Sequence, residues 1–321
     1  MAKIVKVTDH AEVFVPRYAR LQEILNKHER GHWLPDEADM RTDVENWKSG
    51  AVSQQQKEHI KMILRFFTQA DTNVCGGYVE KLLPVYKALD ARMGLLSCAS
   101  REVTHMLGYK RLNDTLGYDS EEFMEEFMKY DSMKAKHEFM VEKCDVRSHK
   151  GRLEYLAKQI LMEGVTLFGS FALLLNYSRM NLLAGMVSVN QWSIIDESDH
   201  IDFLTELFRI DAAENPSAIT EELKATIYQH ARDVVKLECD CLDLCYSIYA
   251  PENMPIDDTK DYIKMICDYR MLQMGFKPQW NIEKNPYPFI EEITGNGVFG
   301  NFFESTITQY SKNPLVGDWQ Y

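Results

Sequence analysis

The 321-residue sequence predicts an all-α fold, a bundle of long helices in one domain spanning residues 1–321. Three observations carry that expectation. Apolar residues recur with a period near 3.6 along most of the chain, and alternating strand patterns are almost absent. Several helices marked in this way far exceed the ~11–12 residues of an average globular helix. No Pro/Gly/Ser-rich linker, low-complexity run or repeat at a solenoid period divides the chain.

The expected helices run over 16–29, 53–85, 88–116, 120–129, 132–144, 151–178, 185–210, 219–248 and 257–275, with a short last one over 299–311. The second carries Asp71 on a stripe shared with Leu64, Phe67 and Thr68. The third carries Glu102, His105 and Tyr109, spaced three and four apart, with Leu95, Cys98 and Leu112 extending the same face. In the helix over 151–178, Glu163 lies on a face with Leu167 and Phe171. Cys239, Cys241 and Cys245 share the helix over 219–248, where core packing is a better account than a soft-metal site. Pro251 and Pro255 separate the last two long helices. Segments 30–50 and 276–300 are rich in Pro, Gly, Asn and Trp and read as irregular. The first forms part of an irregular N-terminal segment over about 1–50.

Composition excludes several classes. A net charge of −13 repels a phosphate backbone, and no long Lys/Arg cluster counters it, so nucleic acid is not an expected ligand. The apolar run Val165 to Leu175 is too short for a bilayer and is flanked by Glu163 and Arg179, so no membrane span is expected. The first residues lack a long apolar stretch, which argues against a signal peptide. Seven cysteines without an export signal read as reduced thiols. The cytoplasm, bacterial or of a virus-infected host, is the expected location. Gly295-Asn296-Gly297-Val298-Phe299-Gly300 fits GxGxxG but follows no strand, and the sequons at Asn113 and Asn176 lie in expected helices.

The chemistry concentrates in two Glu-x-x-His tetrads, Glu102-Val103-Thr104-His105 and Glu197-Ser198-Asp199-His200. Residues three apart on a helix share a face, so each tetrad aims a carboxylate and an imidazole at one point. One copy alone is better read as a surface pair. The bland reading of the second is an acidic solvated face with Asp196, Glu197 and Asp199 exposed. Two tetrads with one acid from each of two further helices, Asp71 and Glu163, form the ligand pattern of a ferritin-like bundle holding two metal ions. Four carboxylates neutralise two divalent cations, and oxygen-rich ligands with one imidazole per ion suit iron or manganese.

With its additional helices, the chain resembles the small, radical-generating subunit of class I ribonucleotide reductase, from about Trp33 to Tyr310. The ligand order Asp, Glu-x-x-His, Glu, Asp-Glu-x-x-His carries the resemblance. It implies a cofactor of two metal ions per chain, a diiron-oxo centre first, with Mn/Mn and Mn/Fe sharing nearly the same ligands. Glu102 and Glu197 then bridge; Asp71 and His105 complete one ion, Glu163 and His200 the other. Tyr109 falls at the family's radical tyrosine and Trp33 at its buried redox tryptophan. Asp196 falls at the acid that links that tryptophan to His105. Asn301-Phe302-Phe303-Glu304 followed by Tyr310 resembles the family's C-terminal redox segment. The resemblance further implies a homodimer and docking to a large catalytic subunit through a short tail, about 312–321, ending Leu315-Val316-Gly317-Asp318-Trp319-Gln320-Tyr321. The competing readings are a dimetal oxygenase, desaturase or ligand-binding oxidase, or an iron-binding ferritin-like protein. Neither needs the series Tyr109, Trp33, Tyr310.

Overall fold

The computed structural model describes residues 6–10, 13 and 15–295. Its helices are α1 (Ala19–Arg30), α2 (Arg41–Ser49), α3 (Gln54–Gly76), α4 (Leu89–Leu116), α5 (Glu121–Glu125), α6 (Asp131–Val141), α7 (His149–Val165), α8 (Phe168–Leu175), α9 (Ala184–Glu214), α10 (Glu221–Ile248), α11 (Ile256–Gln273) and α12 (Pro288–Ile293). Short 3₁₀ turns join several of them, and no strand occurs among the described residues. The architecture is all-α, as the periodicity requires. Helices α3, α4, α7 and α9 carry the four acids and two histidines singled out above, and their apolar faces share one core.

Two glycines let these helices approach. A Cβ on Gly94 would stand 2.0 Å from the Phe203 ring, so α4 and α9 pack closer than any larger residue allows. A Cβ on Gly77 would stand 2.5 Å from Gln159 Oε1, which brings the end of α3 against α7. There α3 widens into a π-helical turn, Gly77–Leu82. Such turns arise where a backbone is re-aimed, frequently at functional sites. This one turns Tyr78 inward.

The helix expected over 151–178 is broken. Thr166 bonds back to the Met162 carbonyl, and α8 restarts at Phe168 with the Gly169 N–H donating to the buried Glu238 carboxylate at 3.0 Å. Glu238 is itself paired with buried Lys136 at 2.5 Å. A buried carboxylate from α10 thus takes an orphan donor at a helix start, a feature invisible to local periodicity. Run 149–180 is long and apolar enough to cross a membrane by composition. However, 94% of its apolar window is buried inside the protein, where it forms core. The segment expected to be irregular over 30–50 contains α2, whose Asp43 caps α9 through the Gly185 and Met186 N–H groups at 2.8 and 2.7 Å. Likewise α12 lies within 276–300. The helix expected over 299–311, the redox segment with Tyr310 and the tail lie outside the described residues.

Candidate metal centre

Each of the six expected ligands is buried, and they meet in one place. Asp71, Glu102, His105 and Glu197 form one group, and Glu102, Glu163, Glu197 and His200 a second, with the ligating atoms of each within 4.8 Å of one another. Glu102 and Glu197 belong to both. The i,i+3 spacing places Glu102 beside His105 on α4 and Glu197 beside His200 on α9, and the close α4–α9 approach makes the two tetrads face each other. The solvated-face reading of the second tetrad is overturned: Asp196, Glu197 and Asp199 are only 2%, 1% and 5% exposed.

The two histidines turn their Nδ1 atoms inward. His105 Nδ1 lies 3.4 Å from Glu102 Oε2 and 3.3 Å from Glu197 Oε1. His200 Nδ1 lies 3.0 Å from Glu102 Oε1, 3.4 Å from Glu163 Oε2 and 3.5 Å from Glu197 Oε2. Yet both Nδ1 atoms, both Glu102 oxygens, Glu197 Oε2 and Asp71 Oδ2 lack hydrogen-bonding geometry to any neighbour. Buried polar atoms are almost always satisfied, so a convergent set of orphans needs a reason. Lone pairs aimed into a shared space, four carboxylates and two imidazoles, fit a pair of divalent cations with oxygen-rich coordination.

The electrostatics express the same crowding. Burial raises Asp71 well above the usual carboxylate range, with the Glu102 charge adding to it, and pushes Glu163 up to about 7. Burial also opposes charge on Glu102, but His105 and His200 outweigh it and hold that carboxyl at about 2. Burial disfavours the charged imidazoles as well, yet the hydrogen-bonding acids around them keep His105 and His200 protonated well above the ordinary histidine value.

Around the cluster, Glu163 is held by two donors, the Tyr78 hydroxyl at 2.5 Å and Gln159 Nε2 at 2.6 Å. Asp196 accepts from Trp33 Nε1 at 2.7 Å, from Arg101 Nη1 at 2.8 Å and from His105 Nε2 at 3.1 Å. The Trp33 ring stacks on His105 at 6.0 Å and 20°. Trp192 packs against Trp33 at 5.2 Å. His105, Arg101 and their charges overcome the burial of Asp196 and hold its carboxyl at about 2. Behind His200 stands the buried imidazole of His28, with 3.2 Å between the two Nε2 atoms.

Tyr109 lies one turn beyond His105 and is 1% exposed. Its ring meets Phe67 edge-on at 5.0 Å, and Phe67 meets Phe171 in the same way. The hydroxyl meets no neighbour in good hydrogen-bonding geometry, Ser193 being the polar side chain that acts on it. Burial and the Asp71 charge raise its pKa well above 10, while Ser193 partly offsets them. The phenol is dry, neutral and next to the acids.

Arg101, His28, Tyr78 and Gln159 have no counterpart in the sequence reading. His28 and Tyr78 act from across the fold and Arg101 on an acid of α9, while Gln159, one turn before Glu163 on an otherwise apolar face of α7, offered a local signal.

Fold and site together define a helical bundle with a buried carboxylate–histidine cluster able to hold two metal ions. The ribonucleotide reductase small-chain family profile matches residues 11–286. A relative from Invertebrate iridescent virus 3, named "Probable ribonucleoside-diphosphate reductase small subunit", is 35% identical over 99% of this chain and 89% of its own. The R2 subunit of ribonucleotide reductase from Clostridium botulinum superposes with a TM-score of 0.77 at 16% identity, covering 87% of this chain and 89% of that one. A ribonucleotide reductase homodimer from Saccharomyces cerevisiae gives 0.74 at 18% identity, covering 96% and 92%. The chain belongs to the ribonucleotide reductase small-chain family. Its place is that of the small subunit in a class I ribonucleoside-diphosphate reductase, an oxidoreductase.

Proposed function

We propose that Asp71, Glu102, His105 and Glu197 hold one metal ion and Glu102, Glu163, Glu197 and His200 a second, with Glu102 and Glu197 shared. The convergent unpaired atoms of these side chains carry this reading. Iron suits the donor set, and manganese, alone or with iron, suits it nearly as well. Such ions, with an oxygen-derived oxidant, would supply the power to take one electron from a phenol. Tyr109 is the phenol. The rings of Phe67 and Phe171 exclude water from it, and the Asp71 charge acts on it directly. Trp33, Asp196 and His105 form the hydrogen-bonded route by which the oxidising equivalent leaves. Tyr310 continues that route toward a large catalytic subunit that reduces ribonucleotides to deoxyribonucleotides.

Elemental analysis of reconstituted protein should return about two ions per chain, and Glu163→Ala should lower occupancy at one site. One ion or none in the wild type would overturn the reading. Loading has a definite pH sense. Metal binds neutral imidazole and ionised carboxylate, whereas His105, His200, Asp71 and Glu163 hold protons to unusually high pH in the metal-free protein. Loading therefore releases protons, and apparent affinity should rise with pH through neutrality. A pH indicator in weak buffer reads the release directly, and metal uptake without acidification would contradict it.

The proposal extends to the surfaces that meet partners. Met93, Leu96, Val103 and Leu107 are exposed on α4, about half so at Leu96 and Leu107, with Ser100 exposed between them. That spacing of three and four is the seam pattern of paired helices. We assign it to a second copy of the chain, in line with the yeast homodimer. The paired change Leu96→Glu and Leu107→Glu should give monomers by sedimentation with metal content retained, and a persistent dimer would place the interface elsewhere. The tail over 312–321 is proposed as the anchor for the large subunit. Deleting residues 313–321 should weaken that association in a titration while leaving metal and radical intact. Unchanged affinity would remove the tail from this role.

A further inference from the structure

We propose that His28 is a positioning residue for one half of the metal centre: it accepts the outer proton of His200 and so fixes that imidazole with Nδ1 free to ligate. The proposal rests on the two-ion reading above and adds a residue to it.

The argument is one of hydrogen-bond direction. Four groups lie in series. His200 Nε2 stands 3.2 Å from His28 Nε2, His28 Nδ1 stands 2.8 Å from Ser97 Oγ, and the Ser97 hydroxyl donates to Glu29 Oε1. The last link sets the sense of the rest. An ionised carboxylate only accepts, so the single hydroxyl proton of Ser97 is committed to Glu29. Ser97 Oγ must then accept from His28 Nδ1–H. A neutral imidazole with its proton on Nδ1 has a bare Nε2, which accepts from His200 Nε2–H. When a metal ion displaces its inner proton, His200 keeps the proton on the outer nitrogen and turns the Nδ1 lone pair into the space shared with Glu102, Glu163 and Glu197. Reversing any link would put the His200 proton on Nδ1, where it would block ligation.

The chain spans the molecule from core to surface. His28 is 3% exposed at the end of α1, Ser97 is half-buried on α4, and Glu29 is exposed. Arg101 clamps the register of α1 against α4 by donating to the carbonyls of His28 and Gly31 at 3.1 and 2.9 Å. The same guanidinium pairs with Asp196, the acid behind the other histidine. The two ligand histidines are therefore backed unequally. His105 donates to an anion, and His200 to a neutral ring. A carboxylate behind an imidazole makes it a more basic ligand, so the two halves of the centre are not equivalent. The His200 half depends on the relay for its tautomer, because it lacks an anion to enforce it.

The test is anaerobic Mn(II) titration of the full-length chain by calorimetry, which reads binding without turnover. Wild type should take two Mn(II). His28→Leu, which cannot accept, should lose about 10- to 100-fold in affinity at one of the two steps only, the step that Glu163→Ala removes. His28→Gln, whose amide oxygen accepts and whose NH₂ can donate to Ser97, should stay within a few-fold of wild type. Ser97→Ala should weaken the same step by a smaller factor, and it decides the matter if His28→Leu does not fold by circular dichroism. Wild-type affinity at both steps in His28→Leu, or in Ser97→Ala should that variant have to decide, would overturn the proposal. So would equal loss at both steps or a failed rescue by Gln. Fewer than two Mn(II) in the wild type would instead strike at the two-ion reading itself.

Discussion

Tyr109→Phe should load metal as the wild type does, show no tyrosyl signal in electron spin resonance, and lose ribonucleotide reduction with the large subunit. The change is unusually clean in physical terms. Removing a buried hydroxyl normally leaves a stranded partner and costs about 1–3 kcal/mol. The Tyr109 hydroxyl meets no neighbour in good hydrogen-bonding geometry, and the one polar side chain acting on it, Ser193, is a hydroxyl free to rotate, so little is stranded. The phenylalanine ring keeps the edge-on contact with Phe67. Stability should therefore move by less than about 1 kcal/mol, while a benzene ring is far too hard to oxidise to stand in for a phenol. A silent radical spectrum in a folded, metal-loaded protein would locate the radical at residue 109. Full turnover by the variant would sink the tyrosyl proposal and point to an oxidant centred on the metal.

The six residues that meet in the buried cluster were all legible in the sequence, and physics explains why. Glu102 with His105, and Glu197 with His200, sit three residues apart, so local helix geometry alone aims each pair. Asp71 and Glu163 stood out as acids on apolar stripes, which burial without a partner forbids. What periodicity does not encode is the arrangement of side chains that reach in from other elements. His28 sits on α1 and Tyr78 in a π-helical turn, whereas Gln159 lies on α7 itself, one turn before Glu163. Arg101 is next to Glu102 in sequence, yet its role depends on Asp196, which lies on α9. The misread helix boundaries have the same origin. Segment 151–178 keeps a helical apolar pattern throughout, and the Glu238 carboxylate from α10 takes the Gly169 N–H where α8 restarts. Segment 30–50 is too polar to announce α2, which folds because Asp43 finds the open end of α9.

Asp196→Asn should be the most destabilising single change outside the ligands themselves. The carboxylate accepts three hydrogen bonds, from Trp33, Arg101 and His105, and donates none. An amide keeps one oxygen and presents an N–H where a donor already points. It also leaves the Arg101 guanidinium, 3% exposed, without a counter-charge. Breaking a buried ion pair in this way costs on the order of 3–5 kcal/mol. The pH sense follows from the Asp196 pKa of about 2 in the fold against an ordinary 3.8. A depressed carboxylate stabilises the fold above its unfolded value, and that contribution fades as pH falls through 3.8 toward 2. Urea unfolding of metal-free wild type and variant should thus differ by a constant amount above about pH 5 and converge as the solution is made more acidic. In turnover the variant severs Trp33 from His105, so activity with the large subunit should fall by about 10- to 100-fold. A stability gap under about 1 kcal/mol at neutral pH would mean that Arg101 finds its compensation elsewhere. Normal turnover would mean that the oxidising equivalent leaves by another path, for which Trp192, packed on Trp33, is the nearest candidate.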